Sequence, residues 1–203
     1  LLTIKINTNK MKKSSINMSV IAVIAVIWSV TAYNGLVTMD ENVNTEWANV
    51  ETQYQRRADL IPNLVNTVKG YAAHESETLE SVIAARSKAT QITIDPANLT
   101  PEKLAEYQEA QGAVTSALGK LLAISESYPD LKANQNFLEL QAQLEGTENR
   151  INEARRKFNN VAKEYNTAIR RFPKSILAGM LGFDKRAYFE AAEGAQNAPV
   201  VAF

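Results

Sequence analysis

Cysteine is absent from all 203 residues, which excludes disulfides, thiolate metal centres and cysteine lipidation. Histidine occurs once, at His74, without the companions that a zinc site or an acid–base relay needs. Glycine (8) and proline (6) are few, most of them punctuate gaps between long helical patterns, and β-branched alternation is scarce. The composition therefore predicts an all-α fold. Lys plus Arg and Asp plus Glu both number 22. Without a basic excess the chain does not read as a general nucleic-acid binder. No Gly-rich phosphate loop follows a strand, and no nucleophile-elbow pattern occurs. Charge is missing altogether from Ser14 to Met39.

That uncharged stretch comes after a basic leader, residues 1–13, in which Met11 is a candidate start. Its apolar centre, Ile16 to Tyr33, is roughly 18 residues long, near the lower limit for crossing a ~30 Å hydrocarbon layer. Trp28 and Tyr33 stand toward its outer end, where interfacial aromatics are found. Two readings compete. Val30-Thr31-Ala32 is a passable signal-peptidase site, whereas the length of the run favours an uncleaved anchor over residues 14–36. Lys5, Lys10, Lys12 and Lys13 precede the run. Asp40, Glu41, Glu46 and Glu51 come after it, with no basic residue before Arg56. The positive-inside rule then places the N-terminus in the cytoplasm and the rest outside the inner (cytoplasmic) membrane.

Beyond the anchor the chain is heptad-patterned. From Met39 to Ala73 the seam reads Val43, Trp47, Val50, Tyr54, Arg57, Ile61, Leu64, Val68, Tyr71, with Asn34-Gly35 as the joint to the anchor and Pro62 inside the helix. Gly70 and His74-Glu75-Ser76-Glu77 mark a break. A second helix spans about Glu75 to Ala89, with Leu79, Val82, Ile83, Arg86 and Ala89 as its stripe. After a loop at Ile92–Pro101, Thr100 reads as an N-cap with Pro101 at the first helical position. The third helix reaches about Ser127 on the seam Leu104, Tyr107, Gln111, Val114, Leu118, Leu121, Ser125, Tyr128. The fourth spans about Asp130 to Arg171 on Phe137, Gln141, Leu144, Glu148, Ile151, Arg155, Phe158, Ala162, Tyr165, Ile169, Phe172. Residues 37–173 form the helical body. Residues 174–203 are a short apolar segment, Ile176 to Phe183, and an extended tail.

Arg57 is the one charge on the first seam, and a seam charge must be paired or it is costly. Laying helices one and four antiparallel by length sets Phe172 opposite Tyr33 and brings Arg57 level with Glu148. Arg56, Arg57 and Asp59 with Glu145, Glu148 and Arg150 are therefore the sharpest polar set. It reads either as a register-fixing ion network or, less well, as a buried ligand or partner site. Arg170, Arg171 and Lys174, with Ile176, Leu177, Met180, Leu181 and Phe183, are candidate contacts to a membrane surface. The alternatives are a solvated face for the charges and a core cap for the apolar segment. Glu106 with Glu109 reads as solvated surface.

Several motifs in order, over roughly Tyr33 to the C-terminus, resemble the LemA family of bacterial membrane proteins. They are Trp47 with Tyr54-Gln55-Arg56-Arg57-Ala58-Asp59-Leu60-Ile61-Pro62-Asn63-Leu64-Val65, then Val68-Lys69-Gly70-Tyr71-Ala72 and His74-Glu75. Later come Leu144-Glu145-Gly146-Thr147-Glu148-Asn149-Arg150-Ile151, Ala154-Arg155, Tyr165-Asn166 and Phe172-Pro173. Phe158 departs from the family pattern, which has Tyr there, and so removes a hydroxyl. The resemblance implies an antiparallel up-and-down four-helix bundle on one N-terminal anchor, and no established enzymatic activity. A related branch contains magnetosome membrane proteins. The combined expectation is a non-enzymatic, membrane-anchored scaffold or assembly subunit of the bacterial cell envelope, homo-oligomeric, with membrane lipid as a partner and no cofactor. The alternative is an adaptor that regulates another membrane protein such as a protease or sensor.

Overall fold

The computed structural model describes residues 2–190, and side-chain surroundings for 17–190 apart from Ala97. The side-chain surroundings of the leader's lysines and the whole tail from residue 191 lie outside what is described. The elements are α1 (Leu2–Lys69), α2 (Ser76–Gln91), a 3-10 turn (Pro96–Asn98), α3 (Pro101–Ile124), a 3-10 turn (Ser125–Ser127), α4 (Pro129–Lys132), α5 (Gln135–Arg170) and α6 (Lys174–Leu181). No strand occurs among the described residues. Contacts divide the chain into two compact units. One joins the stretch ending at Glu41 to Glu164–Lys185; the other joins Asn42–Lys163 to the segment beginning at Arg186.

In the second unit the apolar seams face one another. Val43, Trp47, Val50, Tyr54, Arg57, Ile61, Leu64 and Val68 of α1 are all buried. So are Leu104, Tyr107, Gln111, Val114, Leu118 and Leu121 of α3, and Phe137, Leu144, Ile151 and Phe158 of α5. Leu79, Val82 and Ala89 of α2 close the core at one side, while Ile83 of the expected stripe is exposed. Gln141 and Tyr71 also leave their seams. Tyr71 lies past the end of α1, which stops at Lys69 because Gly70 breaks the helix, and its hydroxyl accepts from Asn134 at 2.9 Å.

The cap at Thr100 forms as the sequence predicts: its side chain accepts from the Lys103 amide, with Pro101 in the first turn. The fourth helix, read as one piece from Asp130, is instead interrupted at Ala133–Asn134. Asn134 caps α5 by accepting from the Phe137 amide at 3.0 Å, a local bond that competes with helix continuation.

Pro62 sits inside α1. Lacking an N–H, it leaves the Ala58 carbonyl, four residues earlier, without its helical donor. Arg86 of α2 fills the gap, donating from Nε to that carbonyl at 2.7 Å. A charged donor on a partly buried acceptor is worth about 1.5–3 kcal/mol. Arg86→Met is expected to cost that much in denaturant unfolding of the full chain. In Pro62→Ala, where residue 62 regains its N–H, the same change is expected to cost clearly less. Equal costs in both backgrounds would show that the arginine is not answering the proline.

In the first unit α1 runs unbroken through Asn34-Gly35, where the sequence reads as a joint. Packing outweighs the ~1 kcal/mol penalty of a helical glycine: Ala32 and Leu36 are buried in this unit, and Thr38 Oγ1 donates to the Asn34 carbonyl at 2.9 Å. Earlier in the helix the large apolar side chains from Met18 to Ile27 stand between 52% and 67% exposed. The segment Asn17–Lys69 contains a stretch long and apolar enough to cross a membrane. After α5, α6 closes on left-handed Gly182 (φ 76°). Phe183 then packs edge-on to Tyr33, with ring centroids 5.9 Å apart. The Lys174 ammonium comes within 4.0 Å of where a side chain on Gly35 would stand.

Candidate functional site: a buried arginine and an aromatic nest

Both features of the site lie in the second unit. Arg57 is 2% exposed, and its guanidinium is filled from several directions. Nη1 donates to Thr115 Oγ1 at 2.7 Å and to Glu148 Oε2 at 3.0 Å. Nη2 donates to the Gln111 backbone carbonyl at 3.0 Å and to Gln111 Oε1 at 2.7 Å. The Tyr54 ring lies under it, 5.1 Å from centroid to Cζ. One carboxylate, two neutral side chains, a carbonyl and a π face thus hold one charge at the meeting of α1, α3 and α5. Glu148 is the wetter partner, its side chain 40% exposed against 3% for Arg57.

Of the other sequence-selected polar residues, none enters this set. Arg56, Asp59, Glu145 and Arg150 are exposed, and Asp59 accepts from Gln55 at 2.7 Å. The sequence does not single out the Gln111 and Thr115 acceptors, although Gln111 interrupts the apolar and aromatic run from Leu104 to Leu121 and so carries a signal. His74 is exposed. Among the described residues no group of three or more His, Asp or Glu side chains gathers as a metal site.

Arg57 separates two open clefts. One, of about 740 Å³, lies between α1, α2 and α3 and includes Glu51, Arg56, Arg86 and Tyr107. The other, of about 870 Å³, lies between α3 and α5 and includes Gln108, Glu148, Arg155 and Glu190. Burial raises the Tyr107 and Tyr54 hydroxyl pKa values above the ordinary tyrosine range, so both rings stay neutral. For Tyr54 the nearby Arg155 and Arg57 charges oppose the rise. Burial likewise raises the Glu51 pKa. The Trp47 indole N–H lies close enough to lower it somewhat, but is not aligned as a hydrogen bond.

A carboxyl whose folded pKa exceeds its unfolded one stabilises the fold below the unfolded value, and that contribution is lost as pH rises through the folded value. Glu51→Gln is therefore expected to raise the melting temperature relative to the parent near neutral pH. The gap should close below about pH 4, where both side chains are uncharged. A melting-temperature series against pH reads this directly, and a gap that grows in acid would contradict it.

Trp47, fully buried, is the hub of the aromatic nest. It stacks on Phe189 with centroids 5.8 Å apart and 13° between planes. It also meets Phe158 edge-on at 5.6 Å and Tyr107 at 5.5 Å. Phe158 is fully buried and packs on Phe189 as well, so its ring sits among other rings. Phe189 arrives from beyond α6. Its backbone is held twice by Asn159 of α5: the side-chain amide donates to the Phe189 carbonyl at 2.9 Å and accepts from the Phe189 N–H at 2.9 Å. Gln108 of α3 does the same for the next residue, donating to the Glu190 carbonyl at 3.1 Å and accepting from its N–H at 3.4 Å. Arg155 donates to that carbonyl at 3.1 Å and covers the Phe189 ring at 4.8 Å. Phe189→Ala is expected to free this segment, so that the amides of residues 189 and 190 exchange with solvent at least as fast as other exposed amides. Hydrogen exchange of the full chain is the check, and retained protection would count against the nest as the anchor.

Comparison with known families matches the LemA family model to residues 46–203. The chain belongs to the LemA family. Magnetosome protein MamQ of Magnetospirillum gryphiswaldense is 29% identical over 202 residues, 91% of this chain and 74% of that protein. Magnetosome protein MamQ 2 of Paramagnetospirillum magneticum is 28% identical over 91% of this chain and 73% of its own length. Protein LemA of Metamycoplasma hominis is 26% identical over 79% of this chain and 69% of its own length. Family membership, together with the long apolar start of α1, points to a membrane-associated LemA protein. The matched region contains both Arg57 and the aromatic nest.

The sequence-selected membrane-surface residues all belong to the first unit. Arg170, Arg171, Ile176, Met180 and Leu181 are exposed; Lys174, Leu177 and Phe183 are half-buried. Phe172, next to them, is 81% exposed.

Proposed function

We propose that this LemA protein is a non-enzymatic, single-pass scaffold or assembly subunit of the bacterial cell envelope, working as a homo-oligomer. The observation that carries the reading is the exposed apolar surface of the first unit. The large apolar side chains of α1 from Met18 to Ile27 are exposed. At the outer end of that run, where Tyr33 meets Phe183, α6 turns out Ile176, Met180 and Leu181. Arg170, Arg171 and Lys174 lie next to these apolar groups in sequence. An apolar helix face flanked by cations suits the boundary between acyl chains and anionic headgroups. Four helices, α1 from Asn42, α2, α3 and α5, supply the core of the second unit, and we read them as an antiparallel up-and-down bundle. The N-terminus is placed in the cytoplasm and the bundle outside the inner membrane, on the support of the lysine-rich leader and the acidic flank after the apolar run.

A structural role is supported by the polar centre itself. Both terminal nitrogens of Arg57 donate to protein acceptors, which suits a register-fixing centre better than one awaiting a substrate. The test is the mass of the detergent-solubilised particle by light scattering. A particle many times the 22.4 kDa chain mass, made of this polypeptide alone, is expected. A monomer would overturn the assembly reading, and stoichiometric foreign subunits would favour an adaptor.

A further inference from the structure

Apolar exposure is concentrated in one part of this chain. Among the described residues, every large apolar side chain left exposed lies in the first unit, except Tyr71, Ile83 and Leu138. Most of them belong to the apolar run of α1. The rest are Phe172 and three side chains of α6, namely Ile176, Met180 and Leu181. Ile176 and Met180 are four residues apart and so share a face. Ala178, on the other side of the turn, is the buried residue of α6. This short helix therefore has one packed face and one bare apolar face, the mark of a surface that meets something else.

Two contacts set the height of α6. Just past its C-terminal end the Phe183 ring meets Tyr33. At its first residue the Lys174 ammonium approaches Gly35. Tyr33 and Gly35 are only about 3 Å apart along the axis of α1, whereas α6 itself is about 12 Å long. An α6 running alongside α1 would spread its two ends over about two turns. Contacts at one level fit a helix that crosses α1 instead. Tyr33 also closes the apolar run that begins at Ile16. With α1 across the bilayer, α6 stands where acyl chains give way to headgroups, in the orientation that an interfacial helix takes. Arg170 and Arg171 are exposed just before it, and Lys174 opens it. Cations beside an apolar face complement anionic headgroups. Being tethered to α1, so short a helix needs little affinity of its own to dock there.

We propose that α6 is a second membrane contact. Ile176, Met180 and Leu181 dip among the acyl chains of the leaflet at the C-terminal end of the apolar run. Arg170, Arg171 and Lys174 hold the phosphates of anionic phospholipid in the same leaflet. The inference rests on the single-pass reading and deepens it by naming the lipid and the residues that take it.

The test uses the full-length chain, which has no cysteine of its own, reconstituted in vesicles. Met180→Cys and Ala25→Cys each carry a small thiol-linked fluorophore. One set of vesicles is phosphatidylcholine; the other is phosphatidylcholine mixed with phosphatidylglycerol. The fluorophore at residue 180 is expected to be quenched by lipid brominated near the top of the acyl chain, more strongly with phosphatidylglycerol, and to be sheltered from aqueous iodide. Replacing Arg170, Arg171 and Lys174 together by Gln weakens the headgroup attraction about fivefold per charge. Quenching at 180 in the mixed vesicles should then fall to the level in phosphatidylcholine. Quenching by iodide in place of bromine would overturn the proposal. So would protection from both, which would give this face to a protein partner, or quenching indifferent to phosphatidylglycerol. Residue 25 separates these failures from that of the single-pass reading. If its fluorophore is still quenched by lipid brominated deep in the chain, the crossing stands and only the α6 contact is removed. If it is not, both fall.

Discussion

Replacing Arg57 with alanine is expected to remove about 3 kcal/mol of stability, the upper end of what a charged hydrogen-bonding group contributes, because the carboxylate it strands, Glu148, is 40% exposed to water. The change takes one side chain but strands several groups. Gln111 Oε1 and Thr115 Oγ1 both lose the donor that holds them, and Glu148 loses its ion-pair partner. Gln111 is buried, and a buried acceptor left without its donor costs about 1–3 kcal/mol; Thr115 is exposed and can turn to water. Arg57→Lys should recover only part of the loss, because a point ammonium cannot reach Glu148 and Gln111 with the fork that the guanidinium uses. Glu148→Gln should be milder than either. Its side chain is 40% exposed, and Arg57 keeps its other acceptors. Denaturant unfolding of the full chain in detergent orders the three variants. An Arg57→Ala cost below that of Glu148→Gln would show that the arginine is not the centre of the set.

Trp47→Ala is expected to cost at least as much, about 3–5 kcal/mol. The indole is fully buried, so its loss opens a cavity walled by three rings from three elements, Tyr107, Phe158 and Phe189. Each ring pair also contributes about 0.5–1.5 kcal/mol beyond area burial. Two features distinguish this loss from that of Arg57. It should release the segment around Phe189, exposing its amides to exchange, whereas Arg57→Ala should leave that segment protected. Trp47→Phe, which keeps an aromatic ring in the nest, should restore much of the stability. A Trp47→Ala protein with unchanged exchange at Phe189 and Glu190 would mean that Asn159 and Gln108 alone hold the segment.

The helical class, the buried seams and the odd charge are legible because helical periodicity is dense over this chain, and a lone Arg on an apolar seam stands out. Aligning two long helices by length sets Arg57 level with Glu148, and those two side chains meet at 3.0 Å. The remaining acceptors, Gln111 and Thr115, come from α3, whose facing depends on tertiary packing that one sequence does not encode locally. Pro62 announces a missing hydrogen bond, but nothing local shows that Arg86 repairs it. In sequence the segment at 186–190 reads as part of an extended tail. Its grip is main-chain to side-chain amide, which leaves no residue pattern; the only trace is an aromatic, Phe189, after Arg186-Ala187-Tyr188. Asn34-Gly35 misleads in the opposite direction, since local propensity there yields to the burial of Ala32 and Leu36.

Everything about location depends on α1 crossing the bilayer once between the lysine-rich leader and the helical body. Because the chain has no cysteine, single substitutions report topology cleanly. Lys13→Cys lies before the apolar run, and Asn66→Cys is exposed on the body. Each is treated with a membrane-impermeant maleimide on intact spheroplasts. The expected result is labelling of residue 66 without permeabilisation and of residue 13 only after it. Labelling of residue 13 from outside, or of both positions from the same side, would contradict a single crossing with the body beyond the membrane.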